Sequence, residues 1–234
     1  MAHVKIEHQG TVLTGEFAVP DGSGPFPAVM VMHSALGLRD NERNAAERLR
    51  ALGYATLLVD MFGAEFGGDV ATAGQYFAAL QAEPDTIRSR VVAWFDTLAK
   101  NAEVDASRIA SIGYCFGGTC VMELARSGAD VKASVSFHGI LSTHAPARPG
   151  AVPGDVVAWC GEDDPYSPPE QVETFRAEMR AAGARCQVTI FGQVVHAFAD
   201  PVAGAMGREG IAYDPRADAV SWAGTVALLG EALA

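Results

Sequence analysis

Short apolar runs that alternate with helical segments are the feature that most restricts the fold of this 234-residue chain. The run at 28–33 (AVMVMH) is continuously apolar, which is typical of a central parallel strand covered on both faces. Further strands are predicted at 55–59, 109–114, 131–137, 155–160 and 186–191, and helices at 41–52, 84–100, 115–127, 168–182 and 214–233. This alternation predicts an α/β fold with a mostly parallel central sheet and helices on both faces.

Two segments depart from the alternation. The chain begins with a predicted hairpin, in which strands at 4–8 and 13–19 flank a turn at Gln9 and Gly10. The Gly-rich segment at 60–82 has no clear period and is predicted to be irregular. The aromatic side chains of 61–81 either form a roof over a ligand pocket or fill the core beneath a long loop, and the sequence leaves both open.

Length and charge exclude several classes of protein. The length suits one domain and no segment resembles a linker, so we expect a single α/β domain over 1–234. The net charge of −11 and the lack of a basic run argue against nucleic acid as a partner. The first ten residues do not resemble a signal peptide, and no apolar run is long enough to span a bilayer, so we expect no membrane association and a cytoplasmic location.

The cysteines indicate neither a metal site nor a disulfide framework. The four of them, Cys115, Cys120, Cys160 and Cys186, form no CxxC pair and no Cys/His cluster with zinc spacing. Free thiols are typical of a reducing compartment. We therefore expect no bound metal and no cofactor, and we expect the last three cysteines to pack as apolar side chains.

The segment Gly113-Tyr114-Cys115-Phe116-Gly117-Gly118 carries the strongest chemical signal. It lies between a predicted buried strand and a helix, and it has the G-x-S-x-G spacing of a nucleophile elbow with cysteine in place of serine. Glycines two residues before and after Cys115 allow the strand and the helix to approach closely. The thiol then lies at a helix N-terminus, which favours the thiolate. The alternatives are a packing turn with an inert cysteine and a phosphate-binding loop, although no P-loop lysine follows.

A second group of polar residues follows the strand at 155–160. Glu162, Asp163 and Asp164 lie in the predicted loop before the next helix, where an acid can orient a histidine. Asp164 is the preferred acid and Asp163 the alternative. Asp164 could instead serve only to start the turn at Pro165.

A histidine follows the last predicted strand. His196 lies in a short loop after 186–191, where a base could approach the thiol of Cys115. A lone histidine is usually structural, but the order nucleophile, acid, histidine is that of the α/β-hydrolases. Each of the three follows a different predicted strand, so we predict a Cys115–His196–Asp164 triad.

Together these motifs resemble the dienelactone hydrolase family. The elbow G-Y-C-F-G-G, the acid loop G-E-D-D-P-Y-S-P and the histidine segment V-H-A-F are each similar to the corresponding family motifs. The stretches H-S-A-L-G-L-R-D-N and G-Y-A-T-L-L-V-D-M-F-G extend the similarity over nearly the whole chain. The resemblance implies the α/β-hydrolase fold and hydrolysis of a small-molecule ester or lactone through an acyl-thioester, with Asp164 as the acid.

The resemblance also implies roles outside the triad. The oxyanion hole would consist of the backbone N–H groups of Ala35 and Phe116. Candidate substrate contacts flank these motifs: Ser34, Leu36, His138 and Phe198. His33 and His138 both end predicted strands, and each either contacts the substrate or satisfies a local backbone group.

Two departures from the family pattern concern the substrate. Ser34 and Asp200 stand where family members that act on dienelactone carry a glutamate and an arginine, and an aspartate repels a carboxylate. The departures argue against dienelactone itself as the substrate. Arg39, Arg43 and Arg88 could form a different anion site or only solvate helix faces.

The sequence leaves three rival functions open. The first is a general carboxylesterase, thioesterase or amidase of the same fold, because loops determine the pocket walls. The second is a non-catalytic ligand-binding module, against which the intact elbow, acid and histidine argue. The third is a redox or metal protein that uses Cys115 and Cys120, whose spacing matches no known motif. The oligomeric state is not determined by the sequence.

Overall fold

One eight-stranded sheet organises the protein, whose computed structural model describes residues 2–234. The strands are β1 (Ala2–His8), β2 (Thr11–Ala18), β3 (Phe26–Met32), β4 (Ala55–Val59), β5 (Val104–Tyr114), β6 (Ala133–Phe137), β7 (Asp155–Gly161) and β8 (Cys186–Phe191). Their order in the sheet is β1-β2-β4-β3-β5-β6-β7-β8. The six neighbouring strands β4, β3, β5, β6, β7 and β8 are parallel to one another. Strand β2 pairs with β1 and with β4 in antiparallel orientation.

Helices connect the parallel strands, except that β6 and β7 follow each other without one. Within the described residues they are α1 (Asp40–Ala51), α2 (Ala73–Ala82), α3 (Pro84–Ala99), α4 (Phe116–Ser127), α5 (Pro169–Ala181) and α6 (Pro215–Ala232), with short 3₁₀ turns at Ala64–Phe66 and Ala203–Met206. No helix in this part of the chain combines the length and the apolar character that crossing a bilayer requires.

The central strands of the sheet are buried on both faces. Along β3, Met30 and Met32 belong to the apolar cluster that includes side chains of α3, α4 and α5. The alternate residues Val29 and Val31 belong to a second cluster with side chains of α1 and α6. Because successive side chains of a strand point to opposite faces, the apolar run of β3 supplies both cores. The predicted mostly parallel sheet with helices on both faces is confirmed.

The predicted N-terminal hairpin is also present. β1 and β2 are in register from Ala2↔Phe17 to His8↔Thr11. Gln9 and Gly10 join them with φ angles of 50° and 78°. Two consecutive left-handed residues form the turn whose twist matches paired antiparallel strands.

The prediction of an irregular segment at 60–82 is wrong in its second half. Residues Ala73–Ala82 form α2, which leads directly into α3 and packs against it. Only Ala73 and Leu80 of α2 are buried, so the helix lacks a broad apolar face that a periodicity argument could detect. A helix this short depends on tertiary contacts, here with α3, for its stability.

The parallel strands deliver the chemically interesting residues to one edge of the sheet. The carboxyl ends of β3, β5, β6, β7 and β8 lie side by side because these strands are adjacent and parallel. The segments that leave this edge carry His33, Cys115, His138, Asp164 and His196. Ligands of open α/β sheets bind at this edge.

Candidate active site

Cys115 occupies a strained position between β5 and α4. Its φ and ψ angles are 53° and −114°, an unusual conformation for a residue with a side chain. Its N–H donates to the carbonyl of Phe137 over 3.0 Å, which ties the turn to the neighbouring strand β6. The conformation places the partly exposed thiol at the N-terminus of α4.

Glycine is required on both sides of Cys115. A Cβ atom on Gly113 would lie 2.1 Å from the carbonyl oxygen of Gly117, and one on Gly117 would lie 2.4 Å from the carbonyl oxygen of Met32. A Cβ on Gly118 would lie 2.4 Å from Oγ of Ser136. Gly113 and Gly117 face backbone atoms, which cannot move aside as a flexible side chain could. The close approach of strand and helix therefore explains the glycine spacing.

His196 lies within hydrogen-bonding distance of the thiol. Its Nε2 is 3.2 Å from Sγ of Cys115. The backbone on either side is fixed, because His196 N–H donates to the carbonyl of Gly210 and its carbonyl accepts from the N–H of Ala212. His196 is 4 % exposed, so packing as well as hydrogen bonds fixes the orientation of its imidazole.

Asp164 completes a continuous chain of polar contacts. Its Oδ2 is 2.8 Å from Nδ1 of His196, and its Oδ1 accepts the N–H of Tyr166 over 2.8 Å. The carboxylate is 2 % exposed. The side chain thus starts the turn at 165–167 and contacts the histidine at the same time. Glu162 and Asp163 are exposed, and the Glu162 carboxylate accepts the N–H of Gln193 instead.

Opposing effects act on the pKa of His196. Burial, the largest effect, lowers it, but the hydrogen bonds and negative charges of Asp164 and Cys115 together outweigh burial and raise the pKa to about 10. An imidazole in this environment holds its proton firmly while both neighbours are negative. Such a group can donate a proton to a leaving group that departs beside it.

The loop after β3 forms the other side of the site. The carbonyl of Ser34 accepts the N–H of Gly37 over 3.2 Å, which closes a tight turn around Ala35. The same carbonyl lies 2.6 Å from Nδ1 of His33, whose Nε2 accepts the N–H of Met61. Both ring nitrogens of His33 therefore contact backbone groups, as one of the two predictions for this residue stated. Burial lowers the pKa of His33 against the opposing charge of Asp60.

The N–H groups of Ala35 and Phe116, the two predicted oxyanion donors, belong to separate elements, the loop after β3 and the start of α4. No acceptor for the N–H of Ala35 lies within 2–234. Phe116 is the first residue of α4, so its N–H has no acceptor within the helix. The elements are in contact, since a Cβ on Gly117 would also lie 2.8 Å from the carbonyl oxygen of His33.

The four candidate substrate contacts separate into two pairs. Ser34 and Leu36 are partly exposed in the loop after β3. Phe198 is completely buried and His138 is 2 % exposed. The rings of His196 and Phe198 each lie 5.1 Å from that of His138. Burial argues against substrate contact for His138 and Phe198, which instead form the packing behind the imidazole of His196.

His138 also does not satisfy a local backbone group with its side chain. Neither of its ring nitrogens has a hydrogen-bond partner among the described residues. Burial, and secondarily the charge of His196, lowers its pKa well below the usual value. His138 is therefore a neutral ring packed against the rings of His196 and Phe198.

Tyr166 is a site residue that the sequence did not single out. Its ring lies edge-to-face on the imidazole of His196 with 4.7 Å between centroids, and the residue is 42 % exposed. An exposed aromatic ring beside the imidazole can contact a ligand. Its position two residues after Asp164 could have identified it in the sequence. The direction in which its ring points, however, depends on the fold of the loop.

The aromatic residues of 61–81 lie next to the elbow. Phe62 and Phe77 pack on the ring of Phe116, with centroids 5.9 Å and 5.3 Å away. Phe62 is 4 % exposed and belongs to the core, whereas Tyr76 and Phe77 are partly exposed. The segment therefore fills the core with its first half and leaves aromatic surface on α2.

The three arginines proposed as an anion site are each paired with an acid. Arg39 lies 3.8 Å from Asp200, and Arg43 lies 2.8 Å from Glu16. Arg88 Nε donates to Glu123 over 2.7 Å and lines a cleft of about 850 Å³ near the C-terminal end of α4, at the opposite end of that helix from Cys115. Their charges are compensated within the protein.

The remaining cysteines do not join the site. Cys120 and Cys160 are buried and Cys186 is partly buried, and burial raises the pKa of Cys160 to about 12 and of Cys186 to about 11. Within 2–234 there is no group of three or more His, Cys, Asp or Glu side chains arranged to hold a metal ion.

Comparison with known proteins agrees with this architecture. The model of the "Dienelactone hydrolase family" matches residues 13–233. The "Putative carboxymethylenebutenolidase" of Salmonella typhimurium is 30% identical over 207 residues, which are 82% of this chain and 76% of that protein. The "Probable 2-oxo-3-(5-oxofuran-2-ylidene)propanoate lactonase" of Bradyrhizobium sp is 26% identical over 208 residues, 85% of this chain and 84% of that protein.

A solved structure extends the comparison to three dimensions. The dienelactone hydrolase-like promiscuous phosphotriesterase P91 from metagenomic libraries superimposes with a TM-score of 0.89 at 34% sequence identity, over 100% of this chain and 99% of that one. The arrangement of strands, helices and elbow is thus the α/β-hydrolase fold. The chain belongs to the dienelactone hydrolase family.

Proposed function

We propose that this protein hydrolyses a carboxylic ester or lactone through a Cys115–His196–Asp164 triad. The single observation that supports the proposal most is the continuous contact chain from Sγ to Nε2 at 3.2 Å and from Nδ1 to Oδ2 at 2.8 Å. The names of the Salmonella and Bradyrhizobium relatives, a carboxymethylenebutenolidase and a lactonase, support the substrate class.

The first half of the reaction forms an acyl-enzyme. Nε2 of His196 takes the proton of the Cys115 thiol, the sulfur attacks the carbonyl carbon, and the electron pair of the C=O bond moves to oxygen. The N–H groups of Ala35 and Phe116 stabilise that oxyanion. When the tetrahedral intermediate collapses, the bond to the leaving oxygen breaks, and Nε2 of His196 supplies its proton.

The second half regenerates the thiol. His196, now neutral, takes a proton from a water molecule that attacks the thioester carbonyl. The second tetrahedral intermediate expels the sulfur, which takes the proton back from Nε2 of His196, and releases a carboxylic acid. Asp164 keeps the proton of His196 on Nδ1 and stabilises the imidazolium.

The surroundings favour a substrate without its own carboxylate. Asp200 lies near the loop after β3, and Arg39 beside it is already paired with that acid. Tyr166 beside the imidazole and the partly exposed Tyr76 and Phe77 of α2 could contact an apolar acyl or leaving group. We propose esters or lactones with an apolar or aromatic part, in preference to dienelactone.

Phosphotriester hydrolysis is a second candidate. The similarity to P91, a promiscuous phosphotriesterase, favours it. A phosphotriester is neutral and could be attacked by the same thiolate, with charge developing on the phosphoryl oxygen. Diethyl 4-nitrophenyl phosphate and 4-nitrophenyl acetate release the same chromophore, so one assay compares the two activities directly.

Replacement of Cys115 tests the proposal. Cys115→Ala is expected to reduce turnover of 4-nitrophenyl acetate by roughly 10⁴-fold or more, because the nucleophile is absent. Rapid quenching of the wild-type protein followed by intact-mass measurement is expected to show one added acetyl group, absent in the variant. Cys120→Ala is the matched control, because it removes a buried thiol of the same helix that takes no part in the mechanism.

Two results would contradict the proposal. Turnover by Cys115→Ala at the wild-type rate would exclude the nucleophile. An acetyl group mapped to another residue during turnover would exclude the intermediate.

A further inference from the structure

Glu42 is a buried carboxylate that the proposed mechanism does not use. It lies in the first turn of α1, and it is 1 % exposed. A buried carboxylate calls for an explanation, because removing it from water is costly unless it is hydrogen-bonded.

The two oxygens of Glu42 bind opposite ends of the loop after β3. Oε1 accepts the N–H of Ser34 over 3.1 Å, and Oε2 accepts the N–H of Arg39 over 3.0 Å. Bonds from backbone N–H groups to a carboxylate are charge-assisted and stronger than neutral ones. One side chain thus joins the start of the loop to its end.

This contact fixes the peptide groups next to Ala35. Glu42 holds the N–H of Ser34, and Nδ1 of His33 holds the carbonyl of Ser34 from the other side. The Ser34 carbonyl and the Ala35 N–H belong to one planar trans peptide, so they point in opposite directions. His33 and the N–H of Gly37 hold that carbonyl and so determine where the Ala35 N–H points, while Glu42 fixes the preceding peptide through the N–H of Ser34.

We propose that Glu42 is a positioning residue for ester hydrolysis, whose ionised carboxylate holds residues 34–39 so that the Ala35 N–H faces the oxyanion. The inference rests on the proposed function, because it requires Ala35 to be an oxyanion donor. Glu42 itself does not contact the substrate.

A simple helix-capping role explains only half of the arrangement. The bond from Arg39 N–H to the third residue of α1 belongs to an ordinary capping box, but the bond from Ser34 does not. A capping glutamate can remain in water, whereas burial raises the pKa of Glu42 to about 7 although its hydrogen bonds with Ser34 and Arg39 lower it. The fold therefore keeps a carboxylate whose charge is disfavoured by burial at the point where the N–H groups of Ser34 and Arg39 need acceptors.

The charged and titratable groups around Glu42 come from several elements. Asp200, in the loop after His196, adds to the raised pKa, and the Arg39 guanidinium lies beside Asp200. Tyr114 of β5 and Arg43 of α1 interact electrostatically with the Glu42 carboxylate. These groups and His196 also contribute to any pH dependence measured for the loop at 34–39.

The variant Glu42→Gln tests the inference. Its amide oxygen can accept one of the two N–H groups, while its NH₂ group cannot accept the other. We expect kcat for 4-nitrophenyl acetate to fall roughly 10- to 100-fold, because misplacing one oxyanion donor weakens transition-state binding, and KM to change less than about threefold. Alkylation of Cys115 by iodoacetamide, which develops no oxyanion, is expected to keep its wild-type rate.

Glu123→Gln is the matched control. Glu123 is 4 % exposed and accepts hydrogen bonds from Arg88 and Arg126, away from Cys115 along α4. We expect this variant to lower the unfolding temperature and to leave kcat within about twofold of wild type. Comparison of Glu42→Gln with Glu123→Gln distinguishes the effect of losing any buried carboxylate from the effect of losing the contact with residues 34–39.

The outcomes distinguish this inference from the proposed function. A kcat of Glu42→Gln within twofold of wild type, or an equal fall in kcat and alkylation rate, overturns the positioning role. If Cys115→Ala retains turnover, the proposed function fails instead. If Glu42→Gln does not fold, hydrogen exchange of the wild-type peptide spanning 34–39 decides: protection, corrected for intrinsic rates, should be lower at pH 6 than at pH 8, and equal protection overturns the inference.

Discussion

The two sides of the candidate active site are held in place by different physical means. At the end of β5, backbone sterics fix the elbow, because Gly113 and Gly117 leave no space for a side chain. At the end of β3, hydrogen bonds to the buried side chains of His33 and Glu42 fix the loop at 34–39. The strand ends are neighbours in the sheet, yet one depends on the absence of side chains and the other on their presence.

The difference has consequences for robustness. Steric exclusion does not depend on pH. Any atom added to Gly113 or Gly117 is expected to lower the free energy of unfolding substantially. Hydrogen bonds from a carboxylate depend on its ionisation, and burial raises the pKa of Glu42 to about 7. The elbow should therefore fail abruptly on substitution, whereas the loop should respond gradually to substitution and to pH.

The largest effect is expected from Gly117→Ala. The added Cβ would lie 2.4 Å from the carbonyl oxygen of Met32, so β3 and α4 must separate. We expect a loss of roughly 3 kcal/mol or more in the free energy of unfolding, together with loss of ester turnover. Denaturant titration and a turnover assay measure both.

Gly230→Ala is the control for that substitution. Gly230 lies in α6 with nothing within 4 Å of the added atom, so alanine should stabilise the protein by about 0.5–1 kcal/mol. Near-wild-type stability and turnover in Gly117→Ala would show that sterics do not fix the elbow.

A smaller effect is expected in the pH dependence of stability at Glu42. Its pKa rises from 4.5 in the unfolded chain to about 7 in the fold, so the folded state binds more protons between these values. The contribution of Glu42 to stability is fully present below pH 4.5 and falls as the pH rises to about 7, by up to roughly 3 kcal/mol. Glu42→Gln lacks this loss.

The measurement is the difference in unfolding free energy between wild type and Glu42→Gln across this pH range. The variant should gain stability relative to wild type as the pH rises, while its kcat stays low. A difference that does not vary with pH would contradict the raised pKa of Glu42.

The smallest effect is expected from Gly37→Ala. Gly37 closes the turn at 34–37 with a φ of 83°, and its added Cβ would meet the ring of Phe66 rather than backbone. The left-handed conformation costs alanine about 1–2 kcal/mol, and the ring can shift. Unfolding and turnover should change moderately, with turnover falling less than in Gly117→Ala.

Gly53→Ala is the control for Gly37→Ala, because it has the strain of a left-handed backbone without a steric clash. Gly53 has a φ of 94° and nothing within 4 Å of the added atom. It should show the cost in stability without any change in turnover. If Gly37→Ala were as damaging as Gly117→Ala, the contrast between the two sides of the site would be lost.

Local patterns in the sequence predicted the elements whose cause is local. The apolar run of β3 predicted a strand buried on both faces, and Gln9-Gly10 predicted the hairpin turn. The glycine spacing around Cys115 predicted a tight strand–helix turn. Helix α2 was missed because only Ala73 and Leu80 of it are buried, and its position depends on contact with α3.

By itself, the sequence determined the strand–helix alternation, the glycine spacing of the elbow and the chain order of Cys115, Asp164 and His196, because these follow from residue type and local sterics. Only the tertiary structure decided which acid meets the imidazole, that His138 and Phe198 are buried behind it, and that Glu42 binds both ends of the loop at 34–39. Burial and hydrogen-bond partners arise from segments that are distant in the chain, so no local pattern contains them.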